Sequence, residues 1–256
     1  MTKAPVSRIA QAYPDRVEVR GRDLAADVMG RLSFTEYFHL LLTGREATED
    51  QRFFLDLVLV SLAEHGMMPT NVAARMTLAA DPDSLQGAVA AGILGCGPVI
   101  LGTAESCAEL LEAAQAKVAA GAAPATVAEE TARAIHAAGG KVPGFGHPVH
   151  RPHDPRAEKI LELADSRGVS GPHVALARSM RDAVAETWGR PLTMNVSMPI
   201  AAVMLDLGIS SSAVAAVPIL ARTAGLLAHL EEERQRPLGF ALAAKAEEAV
   251  EYEREP

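Results

Sequence analysis

The sequence predicts a nearly all-α protein with a generous helical core, and three observations carry that expectation. No segment sustains the two-residue alternation of a half-buried strand, while apolar residues recur at three- and four-residue spacing through most of the chain. Hydrophobic residues make up 49% of the 256 residues but aromatics only 4%, so alanine, leucine and valine must fill the interior. That composition suits close helix packing better than an aromatic-rich β-sandwich. Capping residues and glycine stops also punctuate the chain at helical intervals.

In chain order, residues 1–19 read as a weakly ordered lead-in that ends in a short extended piece, VEVR, and 23–31 as a short helix. Ser33, with Glu36 three residues later, forms a capping box for a helix that stops at Gly44. His39 lies inside that apolar helix and reads as structural. Thr48 caps a helix to about residue 64, with Phe54, Leu57, Val58 and Leu62 on its apolar face, and His65-Gly66 ends it. Further helices are expected at 69–78, from the Ser84 cap to about 94, and at 101–120 and 124–138. Asp154 is an N-cap with Pro155 at the first helical position, starting a helix over 154–165. Helices at 172–188, 195–207, 211–233 and 238–251 complete the chain. The uncharged run 86–104 is interrupted by Gly95, Gly97 and Pro98, so it reads as two buried helices meeting at a break and not as a membrane span.

Several function classes are disfavoured. The formal net charge of −8 argues against a general nucleic-acid binder. Cys96 and Cys107 have neither zinc spacing nor disulfide-scaffold density. The N-terminus lacks the apolar core of a signal peptide, so a cytoplasmic location is expected, with no nucleic-acid or membrane partner. Gly92, Gly95 and Gly97 follow no strand and lack dinucleotide spacing, and no Gly-x-Ser-x-Gly elbow is present. His147, His150 and His153 repeat at spacing three, but Pro148 and Pro152 break any helix that would gather the rings on one face, so no metal is expected.

The densest chemistry lies in residues 141–160, KVPGFGHPVHRPHDPRAEKI. Gly144 and Gly146 allow close backbone approach to a ligand, and His147 sits between them and a proline. Arg156 occupies a first helical turn, where acids are favoured, and this implies an anionic partner. Arg222 lies in the otherwise apolar ILARTAGLLAHL with no acid three or four residues away. A buried guanidinium costs several kcal/mol unless paired, so its partner must be distant in sequence or a ligand carboxylate. Arg236, in QRPLG, reads as a turn residue.

Four stretches together resemble the citrate synthase superfamily: RGRDLAADVMGRLSFTEYFHLLLTGREAT, EHGMMPTNVAARMTLAADPDSLQGAVAAGILGCGP, KVPGFGHPVHRPHDPRAEKI and ILARTAGLLAHLEEERQRP. The resemblance runs from about residue 20 to 251 and is most specific in the third and fourth. It implies an all-α citrate synthase-like fold, one unit over 1–256 with a larger helical part (1–138 and 189–256) and a smaller one (139–188). It also implies a homodimer or higher homo-oligomer. His65 and His147 match the histidines that hold the hydroxyl or keto oxygen of the substrate. Arg156, Arg222 and Arg236 match carboxylate-binding arginines, the last reaching in from a neighbouring subunit. Lys141, Val142, Pro143, Gly144, Phe145 and Gly146 match backbone lying along coenzyme A, expected as a thioester substrate or product and not as a permanently bound cofactor.

Two departures shape the functional expectation. Ile100 stands in GPVILGTAE where synthases carry a histidine, and Ser197 stands in NVSMP where they carry an aspartate. Serine cannot take a carboxylate's role in proton transfer. The compact chain resembles citryl-CoA lyase, which implies cleavage of citryl-CoA or a similar 3-hydroxy-polycarboxyl thioester to acetyl-CoA and oxaloacetate or a related 2-oxo acid. His147, His65 and Ser197 are then the candidates for the chemistry. The alternatives are a non-catalytic citrate- or acyl-CoA-binding homologue and a synthase-like acyltransferase with an altered substrate.

Overall fold

A computed structural model describes residues 5–254, apart from the side chains of Pro98 and Val99. Residues 1–4 of the expected lead-in lie outside that range. The described chain opens on a small antiparallel sheet, β1 (Ala10–Ala12), β2 (Val17–Val19) and β3 (Arg22–Asp23), in the order β1-β2-β3. The lead-in is thus paired: Ala10 faces Val19, and Val19 faces Arg22. The helix expected over 23–31 is a five-residue π-helical turn, Leu24–Val28, with Asp23 accepting from the Ala25 and Ala26 N–H groups. Tight two-residue pairings of this kind leave no periodic trace in a short polar sequence.

Twelve α-helices follow among the described residues: α1 (Phe34–Thr43), α2 (Glu49–Ala63), α3 (Pro69–Ala80), α4 (Leu85–Leu94), α5 (Thr103–Ala119), α6 (Pro124–Ala137), α7 (Pro155–Ser166), α8 (Pro172–Thr187), α9 (Ser197–Asp206), α10 (Ser211–Val214), α11 (Ala216–Gln235) and α12 (Gly239–Glu248). The Ser33–Glu36 capping box forms, Gly44 adopts the left-handed conformation after α1, and Asp154 caps α7. Buried His39 turns its Nδ1 to the Arg45 carbonyl, 3.0 Å away, a structural role. The single helix expected over 211–233 is divided at Ala215. The run 86–104 does contain the expected break, a π-helical turn at Gly97–Leu101, but α4 is only partly covered: Leu94 is 85% exposed.

One large apolar cluster joins α2 with α5 to α10, with Phe54, Leu111, Ile160, Val174, Met180 and Met204 inside it. The expected smaller part, 139–188, therefore shares its core with the larger one. A second cluster (Ala74, Leu78, Ala88, Leu226, Leu230) joins α3, α4 and α11. The stretch Ser211–Gln235 is long and apolar enough to cross a membrane by length and composition alone. Its packed face carries Arg222, Gly225, Leu226 and Glu233 against α2, α3 and α4.

Candidate active site

Helix α11 brings the two clusters together. A Cβ added at Gly225 would lie 1.9 Å from the Ala63 carbonyl oxygen, so glycine lets α11 run against the end of α2. Directly after that contact stand Glu64 and His65. One turn further along α11, His229 Nε2 lies 2.9 Å from Glu64 Oε2. His229 Nδ1 accepts from Arg75 Nε at 2.9 Å, which leaves Nε2 as the protonated nitrogen that donates to Glu64. Glu64 Oε1 in turn accepts from the His65 and Gly66 N–H groups at 2.8 and 2.6 Å. Burial raises the Glu64 pKa, but these bonds outweigh it and hold the carboxyl below its ordinary range. The His65 loop is thus anchored as an anion-centred turn. The 222, 225, 229, 232–233 spacing on α11 is a helical stripe, but the support from Glu64, His229 and Arg75 comes from pairing across helices, which no local sequence signal marks.

The loop 141–147 is fixed from the other side. A Cβ at Gly144, where φ is +79°, would meet Met198 Cβ at 2.7 Å and Cys107 Sγ at 2.8 Å. The Asn195 N–H donates to the Gly144 carbonyl at 2.8 Å, and the Gly146 N–H donates to the Thr193 carbonyl at 2.7 Å. Asn195 Nδ2 donates to the Gly146 carbonyl at 3.0 Å, while its Oδ1 accepts from the Ser197 N–H at 3.0 Å. Asn195, not singled out from the sequence, therefore ties the loop to the start of α9. Among the expected coenzyme A contacts, the Val142 side chain is buried in the core and Gly144 is packed shut. Lys141 and Gly146 are exposed, with Pro143 and Phe145 half-buried between them.

Three imidazoles converge here. His65 Nε2 and His150 Nε2 are 3.2 Å apart, and the His147 and His150 rings lie 4.4 Å apart, centre to centre, tilted by 32°. The sequence expectation that 147 and 150 would not converge is corrected. The Val149 and His150 N–H groups fold back onto His147 Nδ1 at 3.1 and 2.9 Å, and this turn gathers the rings as a helix would. His153 is left outside, 68% exposed, with His65 in its place. Potential ligand atoms of His65, His147 and His150 fall within 4.8 Å of one another. The tautomer makes this a poor cation site, however. With Nδ1 accepting two bonds, neutral His147 must carry its proton on Nε2, leaving at most two imidazole lone pairs. Burial, then the neighbouring His150, pushes the His147 pKa down, which keeps it neutral at pH 7.

His147 Nε2–H and Arg156 Nη2 stand 3.5 Å apart. Two donors that close suit a shared oxygen acceptor. The anionic partner implied for Arg156 is supplied in part by the chain itself. Asp154, fully buried, accepts from Arg156 Nε at 3.1 Å and Nη2 at 2.9 Å, and also from the Val196 N–H at 3.1 Å. Burial raises the Asp154 pKa, but the Arg156 bonds and charge more than reverse it. Asp154 is therefore a committed carboxylate that orients Arg156, and the guanidinium's remaining donor edge is left for a ligand.

Arg222, 4% exposed, has its Nε and Nη1 buried with no hydrogen-bond partner among the described residues. It lies one helical turn before Gly225, so α11 places it beside the α2 terminus that carries His65. Burial raises the pKa of half-buried Cys96, and the nearby Arg222 charge only partly offsets this, so the neighbour is a neutral thiol and no counter-ion. Ser197 occupies the first position of α9, next to Asn195, and Ile100 sits half-buried in the π-helical turn. Arg236 is exposed at the end of α11, fourteen residues and about 21 Å of helix from Arg222, so the chain by itself does not bring the two together.

A family model described as "Citrate synthase, C-terminal domain" matches residues 5–239. Citryl-CoA lyase from Hydrogenobacter thermophilus superposes with a TM-score of 0.86 at 27% identity, covering 99% of this chain and 96% of that one. ATP citrate lyase from Methanothrix soehngenii, solved in complex with citrate and coenzyme A, shares the fold at a TM-score of 0.78 and 19% identity. That alignment covers 100% of this chain and 42% of the longer protein. Curated relatives from Mycobacterium tuberculosis and Mycobacterium bovis, under the provisional name citrate synthase 2, are 30% identical over 188 residues, or 71% of this chain. The chain spans 47% of the length of those relatives.

Proposed function

This chain belongs to the citrate synthase family, and from that premise we propose that it is a carbon–carbon lyase of the citryl-CoA lyase type. The substrate would be citryl-CoA or a related 3-hydroxy-polycarboxyl thioester, and the products acetyl-CoA and oxaloacetate or a similar 2-oxo acid. The observation that carries this reading is the pair of buried, unpartnered nitrogens on Arg222. A guanidinium left uncompensated costs several kcal/mol in the free protein, and a carboxylate matches its planar donor edge. The superposition on the Hydrogenobacter lyase, at a TM-score of 0.86 and 27% identity, supports the lyase type.

In this reading Arg222 and Arg156 hold substrate carboxylates, and Arg236 serves the site of a second copy in a homodimer. His147 Nε2–H donates to the substrate oxygen as it turns from hydroxyl to carbonyl. Its tautomer suits it to stabilise that oxygen and not to take its proton. His65 stands beside it, and the exposed edge of the 141–146 loop lies along coenzyme A. The test is to mix citryl-CoA with purified protein and follow oxaloacetate release. Cleavage is expected, and its absence at high enzyme concentration would overturn the reading. A binding-only reading is favoured by one observation: Asp154 is fully engaged, and Ser197 holds no carboxylate. That alternative predicts that citrate raises the melting temperature without turnover.

A further inference from the structure

We propose that His150 is the proton-transfer residue of this site, acting with His65 as a coupled imidazole pair. The inference rests on the lyase reading and adds to it the group that reading lacks. Cleaving a carbon–carbon bond beside a tertiary hydroxyl moves one proton. The O–H bond breaks, the carbonyl forms, and the electron pair of the broken C–C bond passes to the thioester as its enolate. The enolate carbon then takes up a proton. A base must receive the first proton and an acid must deliver the second, and one imidazole can do both.

The described residues around the site leave few candidates. Asp154 is saturated by Arg156 and the Val196 N–H. Glu64 is bound by His229 and by the His65 and Gly66 N–H groups. The Cys96 thiol donates to the Gly92 carbonyl at 3.3 Å, and Cys107 is fully buried. A serine hydroxyl such as that of Ser197 does not ionise in the working range of an acid–base group. His147 presents a proton on Nε2, with its other nitrogen occupied.

His65 and His150 remain. Their Nε2 atoms, 3.2 Å apart, share one proton, so one ring donates and the other accepts. Two neutral imidazoles joined this way keep one further lone pair to receive a proton and one further N–H to return it. The pair is also held in place. His65 is fixed through Glu64, while the His150 N–H is bonded to His147 Nδ1 and its carbonyl accepts from Thr193 Oγ1 at 3.2 Å. The His150 ring lies 4.4 Å, centre to centre, from the ring of His147, the residue that in the lyase reading donates to the reacting oxygen.

The test is His150→Gln, which keeps a hydrogen-bonding partner for His65 but cannot carry a proton. The expected result is a fall in kcat of about 10²- to 10⁴-fold with KM changed less than about threefold. The citrate-induced rise in melting temperature should be retained, which shows that the variant is folded and binding. His150→Gly should regain part of its turnover with added imidazole, a response that a merely structural role would not give. Turnover of His150→Gln within about threefold of the unmodified protein would defeat the role of His150 alone. An unmodified protein that fails to cleave citryl-CoA would defeat the lyase reading and this role together. Ring ¹⁵N resonances give a readout without turnover: shared-proton shifts on His65 and His150 are expected, and two independent neutral rings would overturn the pair.

Discussion

Arg75 and Arg222 are both buried cations packed beside one another's helices, 0% and 4% exposed, and their surroundings are opposite. Arg75 on α3 meets Glu233 at 2.9 Å, a close bond to Glu232, and His229 Nδ1 at 2.9 Å. Arg222 on α11 has two buried nitrogens with no hydrogen-bond partner among the described residues. Desolvation costs each guanidinium several kcal/mol, and for Arg75 the chain itself offsets that cost. For Arg222 no such offset is found among the described residues. The fold balances one buried arginine with two acids and an imidazole and leaves the buried nitrogens of the other without a partner among the described residues, and the proposed ligand role of Arg222 rests on that contrast.

The comparison is broken most forcefully at Arg75. Arg75→Met strands Glu233 in the interior and should cost about 3–5 kcal/mol of stability, read as a lower urea midpoint. Because Arg75 also holds His229 against Glu64, the same variant should loosen the His65 loop and weaken ligand binding as a secondary effect. Arg222→Met should do the reverse. It removes an uncompensated charge and keeps the packing volume, so the ligand-free melting temperature should stay level or rise. The citrate-induced shift should disappear, with affinity lost by about 2–5 kcal/mol, as when one partner of a desolvated pair is deleted. A clear fall in ligand-free stability for Arg222→Met would mean that Arg222 is structural after all.

Most of this arrangement could be read from the sequence where local rules decide it. The capping box at Ser33, the Gly44 stop and the Asp154-Pro155 start are set by neighbours in the chain, and they form as expected. Arg222 stood out because an arginine without a nearby acid is anomalous in any apolar helix. What was not legible depends on pairing across distance. The β1–β3 sheet is too short for a periodic signal. The convergence of His150 with His65 comes from a backbone turn onto His147 Nδ1, and the proline-based argument against a helix had no access to that geometry. Glu64, His229 and Arg75 each look like ordinary charged residues until Gly225 closes α11 onto α2. Asp154 read as a cap and is one, but it is also the partner that leaves Arg156 half committed.

The smallest effect distinguishes the two arginines through acid titration. Burial raises the Glu233 pKa, but the Gly239 N–H, Arg75 and the Leu238 N–H together bring it below its ordinary value of 4.5. A carboxyl whose folded pKa is depressed contributes stability that is fully present above the unfolded value. That stability is lost as pH falls through the folded value, because protons then bind the unfolded chain more readily. Urea midpoints should therefore hold level at neutral pH and decline below about pH 4.5, the ordinary glutamate value. In Arg75→Met the Glu233 pKa loses one of its lowering influences and moves up toward its unfolded value, so the stability lost on acidification should be smaller than in the unmodified protein. In Arg222→Met no carboxylate loses a partner, and the size of the acid-dependent loss should match that of the unmodified protein. If both variants moved the acid limb equally, Arg222 would have a carboxylate partner within the chain, and the distinction between the two arginines would fail.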